Sequence, residues 1–157
     1  MGMDMRVYVG FYVVSAEVDI VRKSQKRCCT ATDTCGRPPA TSLAAFCSYC
    51  GAPIELMQVE TPARHTLRPD DVGDGEWGEK MRAVNLESRG PAHWLPNVAG
   101  FGDRFDEGSD GATAWDSARL GSELTRFKAE FQPLLDAANE QYGVGLPIAF
   151  GAVAYWS

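Results

Sequence analysis

No stretch of this chain comes near the roughly 20 consecutive apolar residues needed to span a bilayer. The best run, Val7 to Val14, is eight residues long and contains two tyrosines and a glycine. Nothing after it resembles a small-residue cleavage site, so no signal peptide is read and a cytoplasmic location, away from membranes, is expected. Positive charge is also in short supply. Residues 1–60 hold six basic and six acidic side chains, and residues 61–157 hold nine against fifteen, which accounts for the whole net charge of −6. A generic phosphate-backbone binder carries a basic face, because neutralising phosphates drives that binding, so the totals lean against nucleic acid. Gly-x-Gly-x-x-Gly, a Walker lysine and Gly-x-Ser-x-Gly are all absent, and GFG at 100–102 is too short to claim a phosphate cradle. The acidic runs fail as EF-hands: a loop starting at Asp106 puts Gly108 third and Ser117 twelfth, and one starting at Asp70 puts Val72 and Met81 there, where a bidentate Glu is needed last. Low hydrophobicity is lacking too. At 157 residues and 45% apolar content the chain is long enough for one ordinary core and is not a disordered protein.

What is present reads as an α+β fold in one domain over 1–157. MRVYVGFYVV alternates Val7, Val9, Phe11 and Val13 with Tyr8, Gly10, Tyr12 and Val14, the period of a strand covered on both sides. VDIVRK brings a second alternation, and a hairpin joining the two is the economical expectation. PIELMQVE suits a returning strand, residues 61–80 look like loop, and a short strand is expected through Met81 to Leu86. Leu120, Leu124, Phe127, Phe131, Leu134, Ala138 and Tyr142 share one helical face. Thr113, Asp116 or Ser122 would cap that helix, Pro133 predicts a kink or break in it, and Gly143 a left-handed stop. LPIAFGAVAYWS is again apolar on alternate positions. The expected sheet is mixed or antiparallel, with the N- and C-terminal strands as neighbours, one long amphipathic helix across it, and an inserted metal-binding hairpin at 26–56.

That insertion rests on FCSYCGAPIE, residues 46–55, where Cys47 and Cys50 form Cys-x-x-Cys followed by Gly51. Upstream lie Cys28, Cys29 and Cys35, the last followed by Gly36. Tetrahedral zinc needs four ligands, and two tight loops each giving two thiolates are the usual way to present them. Glycine after the second thiolate lets the backbone turn sharply, so that amides point at sulfur. Cys35, Cys47 and Cys50 are three of the ligands. The fourth is Cys29 or Cys28, and the shorter loop favours Cys29. A disulfide framework fits poorly with five cysteines and no export signal. A thioredoxin-like pair should open a helix, whereas Pro53 and IELMQVE argue for extended chain. A four-thiolate site is closed, so the zinc is expected to be structural rather than catalytic.

FCSYCG resembles zinc-ribbon knuckles of the Phe-Cys-x-x-Cys-Gly type. Together with WLPN and YGVGLPIAFGAVAYWS it also looks like a loose group of small bacteriophage proteins of unassigned role. The longer Cys29 to Cys35 spacing and the double cysteine depart from the simplest ribbon. The phage resemblance implies a role in host takeover or counter-defence, exercised in the host cytoplasm through a host protein.

Other residues offer weaker chemistry. RKSQKR places Arg22, Lys23, Lys26 and Arg27 beside the knuckle, which suits a nucleic-acid-binding module as the alternative function. Trp77 and Trp94 lie in turn-rich chain and are candidate anchors for a partner. His93, with Asp103 or Asp106, would be the general base of a hydrolase, although a lone histidine in an aromatic loop is more often structural. We therefore expect a non-catalytic zinc-ribbon binding protein.

Overall fold

The computed structural model describes residues 4–31, 33, 35, 37, 43–84, 92–106, 108 and 114–156. They form a strand-rich α+β fold in the order β1 (Met5–Val14), β2 (Glu17–Cys29), β3 (Ile54–Thr66), β4 (Met81–Val84), β5 (His93–Pro96), β6 (Asp103–Asp106), α1 (Ser117–Tyr142) and β7 (Ile148–Trp156). The strands fall into two sheets, and the chain divides into two compact units. The first comprises Met1–Val18 with His65–Ser157, the second Asp19–Arg64.

In the first unit β1 is the central strand. β7 runs antiparallel along one of its edges from Met5↔Trp156 to Val13↔Ile148. β6 and β5 share the other edge, at Arg6–Val9 and at Val13–Val14, with β4 outside β5. The expectation that the two end strands are neighbours holds. The expected hairpin between β1 and the following strand does not form, because β2 pairs with β3 instead. The reason lies at Ser15, which is buried and fully engaged: its N–H donates to Ala92 O at 2.8 Å and its hydroxyl to Leu67 O at 2.6 Å. With Ala16 O accepting from Leu67 N–H, these groups tie the turn to Leu67 and Ala92 rather than to a strand folding straight back on β1.

The helix forms where its periodicity places it. Phe127, Phe131, Leu134 and Ala138 are buried, and the rings of Phe127 and Phe131 stack at 4.8 Å and meet Phe11 and Phe101 at 5.4–6.4 Å. Such tilted aromatic contacts add to plain area burial. The helix runs through Pro133 without ending. Both Pro133 and Ala129, whose carbonyl loses its donor, face solvent, where water can replace the missing bond. Gly143 closes the helix at φ 68°, in the left-handed region that a side chain would disfavour. Among the described residues no helix is long and apolar enough to cross a membrane.

Asp116 is the N-cap and accepts from Arg119 N–H at 2.7 Å; Thr113 lies outside the described residues. Asp116→Ala is expected to cost about 1 kcal/mol, a melting shift of roughly 2–4 °C, whereas Ser122→Ala at the rejected start should move it by less than ~1 °C. Thermal denaturation followed at 222 nm checks both.

In the second unit β2 and β3 make a two-stranded ribbon. Lys23–Glu60 at 3.4 Å and Arg64–Asp19 at 3.8 Å tie its strands, and Thr30 N–H donates to Pro53 O at 3.0 Å near its tip. Residues 61–66, expected as loop, complete β3; the expected strand from Met81 to Leu86 is seen over Met81–Val84, and Asn85 and Leu86 lie outside the described residues. Pro62 explains the first discrepancy. In a ribbon both strands are edges, and counting from the Thr30–Pro53 bond in alternating steps places Pro62 where its missing N–H would have faced water.

Candidate metal centre

The tip of the ribbon is built by short backbone bonds. Cys47 N–H donates to Ala52 O at 2.8 Å, Gly51 N–H to Cys47 O at 2.9 Å and Ile54 N–H to Ala45 O at 2.9 Å, while Phe46 bridges to Pro53. Gly51, at φ 73°, takes the left-handed conformation that closes this knuckle. On the other side Cys35 N–H returns to Ala31 O at 2.8 Å. Gly36 lies outside the described residues.

Two tight bends thus bring four sulfurs together. The Sγ atoms of Cys29 and Cys50 lie 3.3 Å apart and those of Cys35 and Cys47 3.6 Å apart; all four fall within 4.8 Å of one another, and no disulfide joins them. Sulfurs held about 2.3 Å from a shared tetrahedral ion would lie roughly 3.8 Å from each other, so the set fits a metal ion. Cys29, not Cys28, is the fourth member. Adjacent strand residues point to opposite faces, so once Cys29 turns into the cluster Cys28 must turn away, and it sits half-exposed outside the group.

The electrostatics divide the thiols. The N–H groups of Tyr49 and then Cys50 aim at the Cys47 sulfur, neighbouring thiols donate to it, and its pKa is held down to about 6. The N–H of Arg37 favours the Cys35 thiolate and that of Ala52 the Cys50 thiolate, but burial and the adjoining sulfurs outweigh them and push both groups up. The Cys47 proton leaves readily, while those of Cys35 and Cys50 are held more tightly for want of positive charge. A divalent cation at the centre supplies that charge and draws the whole set toward thiolate.

The surrounding core is small. Cys29, Cys47 and Ile54 are its buried members, with Ala31, Cys35, Ala44 and Ala52 packed against them. Large apolar side chains instead face outward: Phe46 is 64% exposed, Tyr49 66% and Leu56 65%, with Leu43 and Val21 also exposed. Arg37 stacks over the Tyr49 ring at 4.4 Å. Sequence reasoning does not single out these apolar residues. The signal lies within the motif, since the aromatics of FCSYC alternate with cysteines that must turn inward.

The remaining candidates do not assemble into a site. Arg22 and Lys26 fall on one face of β2 and Lys23 and Arg27 on the other. Lys23 pairs with Glu60, and the Arg27 guanidinium donates to Ala44 O at 2.9 Å. Trp94 and Trp77 are buried, the former with its indole N–H on Leu67 O at 3.2 Å, so neither offers a surface to a partner. His93 packs edge-on to Tyr12 at 5.0 Å, and burial lowers its pKa. Its expected partners are engaged elsewhere, Asp103 with Arg119 at 2.8 and 3.0 Å and Asp106 with Arg6 at 3.2 Å. A half-open cavity of about 360 Å³ in the first unit, bordered by Arg68, Asp70, Arg82 and Asn97, contains none of the candidate residues. In comparisons with known family models, with curated proteins and with solved structures, nothing matches this chain.

Proposed function

We propose that the protein is a non-catalytic docking module whose ribbon tip is stapled by one structural zinc ion on Cys29, Cys35, Cys47 and Cys50, and whose exposed apolar residues engage a protein partner. One observation carries this reading: the tip of the second unit turns its cysteines and small residues inward with Ile54 as the one large apolar member, and leaves Leu43, Phe46, Tyr49 and Leu56 outward. Burial alone would favour the reverse arrangement, so something other than burial holds the tip, and the outward residues are available for contact. A closed set of four sulfurs suits zinc and leaves no open position for substrate water. The likeness of FCSYCGAPIE, WLPN and the C-terminal stretch to small phage proteins points to a bacterial host protein as the partner, met in the host cytoplasm during takeover or counter-defence.

Purified chain is expected to carry one zinc per molecule by elemental analysis. The double variant Phe46→Ser, Tyr49→Ser should keep the zinc and the circular dichroism of the parent but lose the partner retained from host lysate and identified by mass spectrometry. Retention by the parent should survive salt. Binding through four phosphate contacts at Arg22, Lys23, Lys26 and Arg27 would instead weaken on the order of 10²-fold between 50 and 200 mM. Absence of zinc, equal retention by the double variant, or loss of the retained material to nuclease would each overturn the reading.

A further inference from the structure

β7 pairs with β1 and, among the described residues, with no other strand, so no described strand occupies its outer edge. One hydrogen bond fixes which peptide groups line that edge. Val14 N–H donates to Pro147 O at 2.9 Å, one step beyond the Val13↔Ile148 pair, so this is a bonded position. In an antiparallel ladder bonded positions recur at every second residue. The peptides of Ala149, Gly151, Val153 and Tyr155 therefore bond to β1, and those of Ile148, Phe150, Ala152, Ala154 and Trp156 point away from it.

This edge lacks the devices that keep strands apart. IAFGAVAYW contains no charge, no proline and no lysine, and it pairs with β1 over nine successive positions without a bulge. A long, uncharged, unprotected edge is a template for another strand. Ala152, Ala154 and Trp156 are exposed, Trp156 at 61%.

We propose that the occupant is a second copy of this chain, paired β7 to β7 antiparallel about a two-fold axis through Ala152. Three features of the strand select that partner and that register. An antiparallel edge is complementary to itself under a two-fold rotation, the commonest symmetry of protein dimers. Centring on Ala152 sets Ile148 opposite Trp156, Phe150 opposite Ala154 and Ala152 opposite its own counterpart, so all five outward-facing peptides find partners; any other register leaves some unpaired. The side chains of these five residues share one face, and each large ring is set against a smaller side chain, which suits close cross-strand contact. Because β7 itself is uncharged, two chains of net charge −6 meet along it without like charges in the ladder. A contact of one strand with one strand is small beside the ~1,200–2,000 Å² of a standard interface, so the equilibrium should be visible on dilution.

The test is sedimentation of the 157-residue, metal-loaded chain across a dilution series. The parent mass should rise with concentration from 17.1 kDa toward twice that value. Ala152→Lys sets two ammonium groups against each other at the axis, and Ala152→Pro removes an outward N–H without touching the β1 ladder. Both variants should stay monomeric at every concentration, and Ala152→Lys should keep the parent's melting temperature. In the parent, raising the concentration should slow amide exchange at Phe150, Ala152 and Ala154 but not at Ala149, Gly151 or Val153. A parent that stays monomeric, a dimer that survives Ala152→Lys, protection that does not alternate along β7, or a monomer whose edge takes up an extended segment of another protein would each overturn self-pairing.

Discussion

Replacing Cys47 with serine is expected to release the metal and unfold the Asp19–Arg64 unit while the sheet of β1, β4, β5, β6 and β7 keeps its own melting transition. Cys47 is the sulfur on which the knuckle amides converge, and they make its thiol give up its proton more readily than an ordinary cysteine, so its loss removes a ligand already prepared for a cation. Little else can hold the tip. Ile54 is the one large apolar side chain in its buried cluster, and burying such a residue is worth roughly 1.5–3 kcal/mol. Structural zinc in small domains contributes roughly 10–16 kcal/mol at neutral pH. Elemental analysis should find the metal lost, and amide exchange in β2 and β3 should accelerate to nearly unprotected rates. A strong chelator added to the parent should reproduce both effects. Cys28→Ser is the control and should keep one metal per chain. If Cys47→Ser retains the ion and the ribbon's protection, or if Cys28→Ser loses them, the four-sulfur centre is wrong.

Trp94→Ala should give the largest loss in the other unit. Its side chain is fully buried, its indole N–H is held by Leu67 O, and it sits where β5 meets β1 opposite Val13. Truncating a buried aromatic of this size costs about 3–5 kcal/mol through lost transfer and the cavity left behind. That corresponds to a melting shift of roughly 10 °C for a chain of this length. Leu67 O keeps its bond from the Ser15 hydroxyl, so the loss comes from packing rather than from a stranded acceptor. Phe46→Ala, at an exposed apolar position, should fall within about 0.5 kcal/mol of the parent. Calorimetry on the two variants side by side measures the contrast, and equal shifts would refute the assignment of Trp94 to the core.

Strong periodicity makes an element legible in the sequence itself. Val7 to Val13 and Ile148 to Trp156 read as neighbouring strands because both faces are apolar, and the helix declares itself through four buried positions spaced three or four apart. The sulfurs are legible because ligand spacing is a local property, and only the choice between Cys28 and Cys29 needs the strand's handed alternation. The ribbon is not. A two-stranded sheet whose more sheltered face is only half-buried impresses a weak pattern on its sequence, so RKSQKR reads as a charged exit from a hairpin and Pro62 as a loop signal. Trp77 and Trp94 read as surface anchors for a related reason. Trp94 lies in β5, a four-residue strand too short for alternation to register, and its burial follows from pairings distant in sequence, while Trp77 lies in a single helical turn among glycines that carries no periodic signal.

The junction at Leu67 carries a consequence for how this chain can vary. Three bonds meet there: its N–H reaches back to Ala16 O, and its own carbonyl accepts from Ser15 and Trp94. The two ends of the excursion are thus fastened within the first unit, whatever lies between them. Since the entropy of closing a segment grows only with the logarithm of its length, lengthening, shortening or exchanging the intervening chain would burden that unit little. The excursion is in this sense a cassette, free to diverge in sequence without renegotiating the sheet from which it departs.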